Sequence, residues 1–292
     1  MKMSWLLAAL LLAPAAHAEE TKEPAELLRQ RLAERLATKP EGTVTTKPAA
    51  RPAKPAPAKP AQSAKPAHWG YTGDIGPDRW AELTPANKLC AVGTRQSPID
   101  IREGIAVDLE KIAFDYRPSA FTVQDTGHTV QVNVAAGNGL TVMGRRYELT
   151  QFHFHRPSEE RVNGRQFDMV AHLEHKDAQG RLAIVAVLLE RGPDNKPQPL
   201  IQSVWANLPL ERGEALAAQV QLDLNQLLPE NRGYYTYMGS QTTPPCQEGV
   251  LWMVMRQPVQ LTAQQIGVFA RLYPMNARPL QAGSGRLIKE SQ

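Results

Sequence analysis

Five consecutive residues, Gln151-Phe152-His153-Phe154-His155, combine a spacing and a set of side chains suited to holding a metal. On a β-strand, side chains two apart point to the same face. His153 and His155 would then converge, with Phe152 and Phe154 turned into a core behind them. By itself a His-x-His pair is a weak signal and reads more readily as two hydrogen-bonded strand histidines. A second segment shifts the balance: in Met169-Val170-Ala171-His172-Leu173-Glu174-His175, His172 reaches the first pair if the two strands are antiparallel neighbours. The turn-rich Arg161-Val162-Asn163-Gly164-Arg165 between them permits that return. His175 lies an odd number of residues from His172, faces the other way and reads as structural. Three neutral imidazoles leave a tetrahedral zinc ion (Zn2+) with one open position, the pattern of a catalytic site. Zinc so held lowers the pKa of coordinated water and supplies a nucleophile at neutral pH.

Such a site needs strands to carry it, and the sequence from His68 onward supplies them. Short apolar runs recur between Gly, Pro, Asn and Asp: Phe121–Val123, Thr129–Val134, Gln151–His155, Met169–Leu173, Leu182–Leu189 and Val250–Met255. Several alternate with period two and are rich in β-branched or aromatic residues. Helical patterns are few, at about 197–207, 211–220 and 263–271. The fold class that follows is mostly β (α+β), one domain over 68–292 with peripheral helices.

The chain before His68 has a different character. Lys2, the apolar run Trp5 to Ala13 and the small-x-small site Ala16-His17-Ala18 read as a signal peptide over 1–18, with export to the periplasm or beyond. Residues 19–41 read as a charged helix, with Pro24 at its start and Leu28, Leu32 and Leu36 on one face. That stripe is compatible with a homodimer, although a short isolated helix is the simpler reading. Residues 42–67 repeat Pro, Ala and Lys irregularly and read as an extended linker.

Charge and cysteines bound the function further. The formal net charge is +4, yet Lys47, Arg51, Lys54, Lys59 and Lys65 all lie in the linker, so the rest is close to neutral. With no helix-turn-helix, zinc-finger or aromatic–basic groove pattern, nucleic acid is excluded as a partner. The basic linker suits contact with anionic cell-envelope polymers or head groups, a solvated spacer being the plainer alternative. No segment after the signal is long and apolar enough to predict a transmembrane span. Cys90 and Cys246 are the only cysteines. In an exported chain an even pair suggests a disulfide, with two free thiols as the alternative.

Ordered motifs then place the globular part close to a known family. They are His68-Trp69-Gly70-Tyr71, Gln96-Ser97-Pro98-Ile99-Asp100-Ile101, Gly127-His128, Gln151-Phe152-His153-Phe154-His155 and Pro157-Ser158-Glu159. Tyr237-Met238-Gly239-Ser240-Gln241-Thr242-Thr243-Pro244-Pro245 and Asn276-Ala277-Arg278-Pro279 complete the set. Over about 68–288 the chain resembles the alpha carbonic anhydrases. The resemblance implies a large twisted, mainly antiparallel sheet with zinc at the base of a conical cavity. It implies reversible hydration of carbon dioxide to bicarbonate and a proton by zinc-bound hydroxide. His153, His155 and His172 would hold the metal. Thr242 would orient the nucleophile, fixed by Glu159; His128 would shuttle the proton. Thr243, Ile184, Val250 and Trp252 would line the substrate side, and Gln151 would support a metal histidine. Tyr71, Thr126 and Gln131 would belong to a water network.

Three positions depart from that pattern. The family has a glutamate two residues before the third histidine, bonded to its imidazole; here it is Val170, and no replacement is visible in the sequence. Glu174 and Gln241 stand where the family has apolar residues on the carbon-dioxide wall, and the two are expected to hydrogen-bond across the pocket mouth. These departures keep two alternatives open: a carbonic-anhydrase-like binding protein with weak or no activity, and a zinc hydrolase acting on small esters.

Overall fold

The computed structural model describes residues 68–292; the predicted signal peptide 1–18, charged helix 19–41 and linker 42–67 lie outside the described residues. Alternation shapes the strands. Phe121-Thr-Val-Gln-Asp125 buries every second residue, as a strand with one face on a core must. The strands that matter here are β1 (Ile105–Val107), β2 (Phe121–Asp125), β3 (Val130–Val134), β4 (Arg145–His155) and β5 (Met169–Lys176). They continue as β6 (Leu182–Arg191), β7 (Ala215–Ala217), β8 (Tyr234–Ser240), β9 (Glu248–Met255) and β10 (Lys289–Ser291). They join in the order β7-β2-β3-β4-β5-β6-β9-β8-β10-β1, with three shorter strands beside them in the same 13-stranded sheet. Along this path β6–β9 and β10–β1 are parallel and the rest antiparallel.

The centre of the sheet is buried on both faces, so β6 is apolar from Leu182 to Leu189 and β5 is buried from Met169 to Leu173. One face carries the larger core, including Phe152, Phe154, Ala171, Leu173, Val185 and Val187. The helices Pro199–Ala206 and Ala263–Leu272 cover it through Leu200, Ile201, Val204, Ile266 and Phe269. Thr262 and Gln265 form a capping box on the second helix, and Trp205 Nε1 donates to the Gln265 carbonyl at 3.0 Å. The opposite face carries a smaller cluster: Ile99, Ile101, Phe167, Val170, Ile184, Ala186, Leu188, Tyr237, Val250, Trp252 and Val254. His153, His155 and His172 share that face.

The expected helices near 197–207 and 263–271 are present, but the one at 211–220 is not. There Ala215–Ala217 forms β7 on the free edge of β2. The Ala- and Leu-rich stretch has helical propensity, but too few residues to sustain a helix alone. The open edge of β2 offers backbone pairing instead: Asp125 N donates to Glu214 O and Ala218 N to Phe121 O. Among the described residues no helix is long and apolar enough to cross a membrane.

Cys90 and Cys246 form a disulfide across the fold. It ties the loop after β8 to the start of the domain. Gln96 Nε2 donates to the Cys246 carbonyl at 3.1 Å, and the Ser97 and Ser240 hydroxyls accept from each other's backbone N–H groups. Gly239 permits this approach, because a Cβ there would stand 2.2 Å from Ser97 Oγ. The loop bearing Thr242 and Thr243 is therefore held at both ends.

Candidate metal centre

Register builds the site. In the β4–β5 pair His153 stands opposite His172, and on either side His153 faces Gln131 of β3 while His172 faces Ala186 of β6. The next row along the same face reads Gln151, Glu174, Ile184, Trp252. His155 lies two residues beyond His153, on the same face. The three ring centroids are 4.9, 5.5 and 4.7 Å apart, and one ligand nitrogen from each lies within 4.8 Å of the others. His153 is 8% exposed, while His155 and His172 are closed off. The way to solvent is therefore on the His153 side. His175 sits on the other face, where its Nδ1–H donates to Leu173 O at 2.9 Å and Tyr116 Oη bonds its Nε2 at 2.8 Å.

Each imidazole of the trio is held through one nitrogen. His153 Nδ1 bonds Gln151 Oε1 at 3.0 Å, and His155 Nδ1 bonds the Asn276 carbonyl at 2.7 Å. His172 Nε2 meets Glu160 Oε1 at 3.1 Å and Oε2 at 3.3 Å. Carbonyl and carboxylate oxygens only accept, so these nitrogens carry the protons. The nitrogens left with lone pairs are His153 Nε2, His155 Nε2 and His172 Nδ1. His155 Nε2 is buried and has no hydrogen-bond partner among the described residues. A buried acceptor pointing at two others with no donor between them fits a cation.

Electrostatics keep two of the three rings neutral. Burial drives His153 down to about 3 and His155 well below the usual imidazole range, the other histidines adding to it. Burial would do the same to His172, but the charge and hydrogen bond of Glu160, with Glu159 and Glu174 behind, outweigh it and raise its pKa. Burial, with Glu160 beside it, pushes Glu159 up to about 7, against the opposing pull of His172, the Arg278 backbone and Thr242. Glu159 Oε1 accepts from Arg278 N at 2.7 Å. The Thr242 hydroxyl favours the charged carboxylate, although Oε2 has no partner at ordinary hydrogen-bond distance among the described residues.

The other expected residues fall in three places. Ile184, Val250 and Trp252 are buried in the smaller cluster, with the Trp252 ring 5.0 Å from His172. Glu174, Gln241 and Thr243 are half-buried. No hydrogen bond joins Glu174 to Gln241; the Gln151 amide faces Glu174 instead, and burial raises its carboxyl despite that amide and His172. His128 is half-buried, stacked on Trp69 at 3.8 Å, with Nε2–H donating to Trp69 O at 2.7 Å. Burial lowers its pKa. Thr126 Oγ1 is taken up locally, accepting from His128 N and Thr129 N and donating to Thr129 O. Gln131 Nε2 donates to Asn133 at 2.8 Å. Tyr71 packs edge-on to Trp69 and Trp80, its phenol pushed up by burial and then by Glu159.

Sequence reasoning passed over three residues. Asn276 holds His155 with its carbonyl, while its buried side chain accepts from Arg156 N and donates to His128 O and Phe154 O. Arg278 bonds Gln96 Oε1, Ser97 O and Cys90 O through its guanidinium, linking Glu159 to the disulfide. Both lie in the quoted Asn276-Ala277-Arg278-Pro279 motif, which was the available signal. Glu160 had none beyond being an acid next to Glu159.

Comparison with known proteins agrees with this geometry. Residues 75–292 match the family described as eukaryotic-type carbonic anhydrase. A carbonic anhydrase of Nostoc sp. is 39% identical over 234 residues, covering 78% of this chain and 88% of the relative. One from Neisseria gonorrhoeae is 41% identical over 225 residues, covering 76% and 88%. The solved alpha-carbonic anhydrase of Thermovibrio ammonificans, in complex with the inhibitor sulfanilamide, superposes with a TM-score of 0.73 at 39% identity, covering 77% of this chain and 99% of that one. The chain belongs to the alpha, or eukaryotic-type, carbonic anhydrase family. The activity is the reversible hydration of carbon dioxide to bicarbonate and a proton, with zinc as cofactor.

Proposed function

We propose that His153 Nε2, His155 Nε2 and His172 Nδ1 hold the zinc ion, and that Thr242, Glu159 and His128 carry the chemistry around it. The observation behind this is that the three buried histidines bring one ligand nitrogen each within 4.8 Å of the others, and that His155 Nε2 has no hydrogen-bond partner among the described residues. Zinc in such a site supplies an activated solvent nucleophile at neutral pH. Glu159, as a carboxylate, only accepts, so the Thr242 hydroxyl directs its proton there. Thr242 then presents a lone pair to the pocket and fixes the orientation of the reacting solvent. Ile184, Val250 and Trp252 give carbon dioxide an apolar wall, Thr243 stands beside it, and Glu174 and Gln241 make its edge polar. His128 accepts the released proton at Nδ1, the nitrogen not engaged with Trp69, and passes it to buffer. Metal analysis of the purified full chain should find one zinc per chain. Stopped-flow hydration should vanish with chelator and return with zinc. A chain that takes up no divalent ion ends this reading.

The same proposal covers the rest of the chain: residues 1–18 direct export, 19–41 form a helix open to pairing in a homodimer, and 42–67 are a spacer. Two features support it: the Cys90–Cys246 disulfide suits an oxidising compartment, and five positive charges with no acid suit anionic envelope polymers. Fractionation and N-terminal sequencing of the expressed protein check it; a protein retaining Met1 in the cytoplasm would refute export.

A further inference from the structure

We infer that Glu160 has taken over the orientation of His172, so that the carboxylate missing at position 170 is supplied from a neighbouring loop. Val170 lies on the same face of β5 as His172 and is fully buried among Ile99, Ile101, Phe167, Ala186 and Leu188. It offers the imidazole nothing to bond. Glu160, also fully buried, reaches the same nitrogen from the Pro157–Glu160 loop, with both carboxylate oxygens within 3.3 Å of His172 Nε2. The loop is fixed where it must be. Ser158 Oγ donates to the Glu160 carbonyl at 2.8 Å and accepts from Phe167 N at 2.9 Å. Gln166 Nε2 donates to Ser158 O at 2.8 Å, and Ser158 N to Phe167 O at 3.0 Å. These bonds fix the backbone from which the Glu160 carboxylate reaches His172.

The consequence is a choice of ligand atom. A proton kept on Nε2 by Glu160 leaves Nδ1 as the only lone pair of His172. His153 and His155 are bonded through Nδ1, so they present Nε2. Glu160 is thus a positioning residue: it acts on the metal through His172 and strengthens that ring as a donor. The inference rests on the three-histidine zinc reading, and the two fail differently.

Zinc dissociation constants of the full chain and its Glu160→Gln variant, measured by competition with a chromophoric chelator, decide it. The variant keeps the shape of the side chain and loses its charge. It is expected to bind zinc about 10–100-fold more weakly, the usual effect of removing such a partner. Affinity within threefold of the parent overturns the inference while leaving the zinc site intact; a parent that binds no zinc overturns the underlying reading instead. Should the variant fail to fold, long-range nitrogen–proton NMR of the zinc-loaded parent is the second measurement. His172 should show a protonated, slowly exchanging Nε2 and a metal-bound Nδ1, with the reverse assignment for His153 and His155. Metal bound through His172 Nε2 refutes the role of Glu160.

Discussion

Asn276→Ala removes one side chain that ties three parts of the site together, and its cost can be worked from the bonds. Asn276 is fully buried. Its Oδ1 accepts from Arg156 N at 2.7 Å, and its Nδ2 donates to His128 O and Phe154 O, each at 3.0 Å. The three losses are unequal. Phe154 O keeps the Thr129 hydroxyl as a donor, so its loss is small. Arg156 N and His128 O have no other hydrogen-bond partner among the described residues. Leaving such groups unsatisfied costs about 1–3 kcal/mol each, less where water can reach. The side-chain void adds to this, giving about 3–5 kcal/mol in all. Urea unfolding of the metal-free protein, with the slope unchanged, is the assay. Because the backbone carbonyl of residue 276 also holds His155, zinc affinity should fall with stability. A loss under 1 kcal/mol with unaltered zinc binding would refute this account of the loop.

Three other outcomes are expected. Replacing Cys90 and Cys246 with serine should lower stability by about 2–4 kcal/mol and, by freeing the loop after β8, reduce turnover more than zinc binding; equal turnover would separate the disulfide from Thr242. His175 is buried with its pKa pushed down to about 4, so the unfolded chain binds more protons than the native one between about 4 and 6.5, and stability must fall as pH drops through that window. The full difference is about 3 kcal/mol, and in the metal-free protein His175→Gln should flatten the acid slope; an unchanged slope would count against it. Glu174→Val restores an apolar surface beside Ile184 and should raise kcat/KM for carbon dioxide about fivefold, the rate equivalent of roughly 1 kcal/mol of apolar contact. An unchanged value would remove Glu174 from any role in tuning the pocket.

The fold was legible where side chains repeat with the period of their backbone. Phe121–Asp125, Val130–Val134 and the β4–β5 pair all declare themselves through alternation, and the same alternation sets His175 apart from His172. It also worked across the β-bulge between Glu174 and His175, which shifts the pairing without moving His175 off its face. The segment 211–220 misled because its composition favours a helix, while its structure is decided by the vacant edge of β2, a partner about 90 residues earlier. Local preference is weak against an edge that needs pairing.

The three converging histidines and one support, Gln151, were legible; the other two supports were not, for a physical reason. A metal ligand must be a particular side chain, so it leaves a letter in the sequence. A support need only place an acceptor oxygen against a ring nitrogen, and many atoms will serve. For His155 that atom is a backbone carbonyl, which any residue at 276 would possess. For His172 it is a carboxylate, and the chemistry is indifferent to whether it comes from β5 or from the loop before it. Val170 by itself offers His172 no acceptor. The pair Val170 and Glu160 shows the role kept and the position changed, with an apolar residue filling the core where a buried charge would otherwise have needed its own partners. Glu160→Val on top of Val170→Glu should bind zinc more tightly than Glu160→Gln alone, since the carboxylate has only been moved back to the strand. A double variant that still folds but binds no better would mean that the loop position matters for more than its charge.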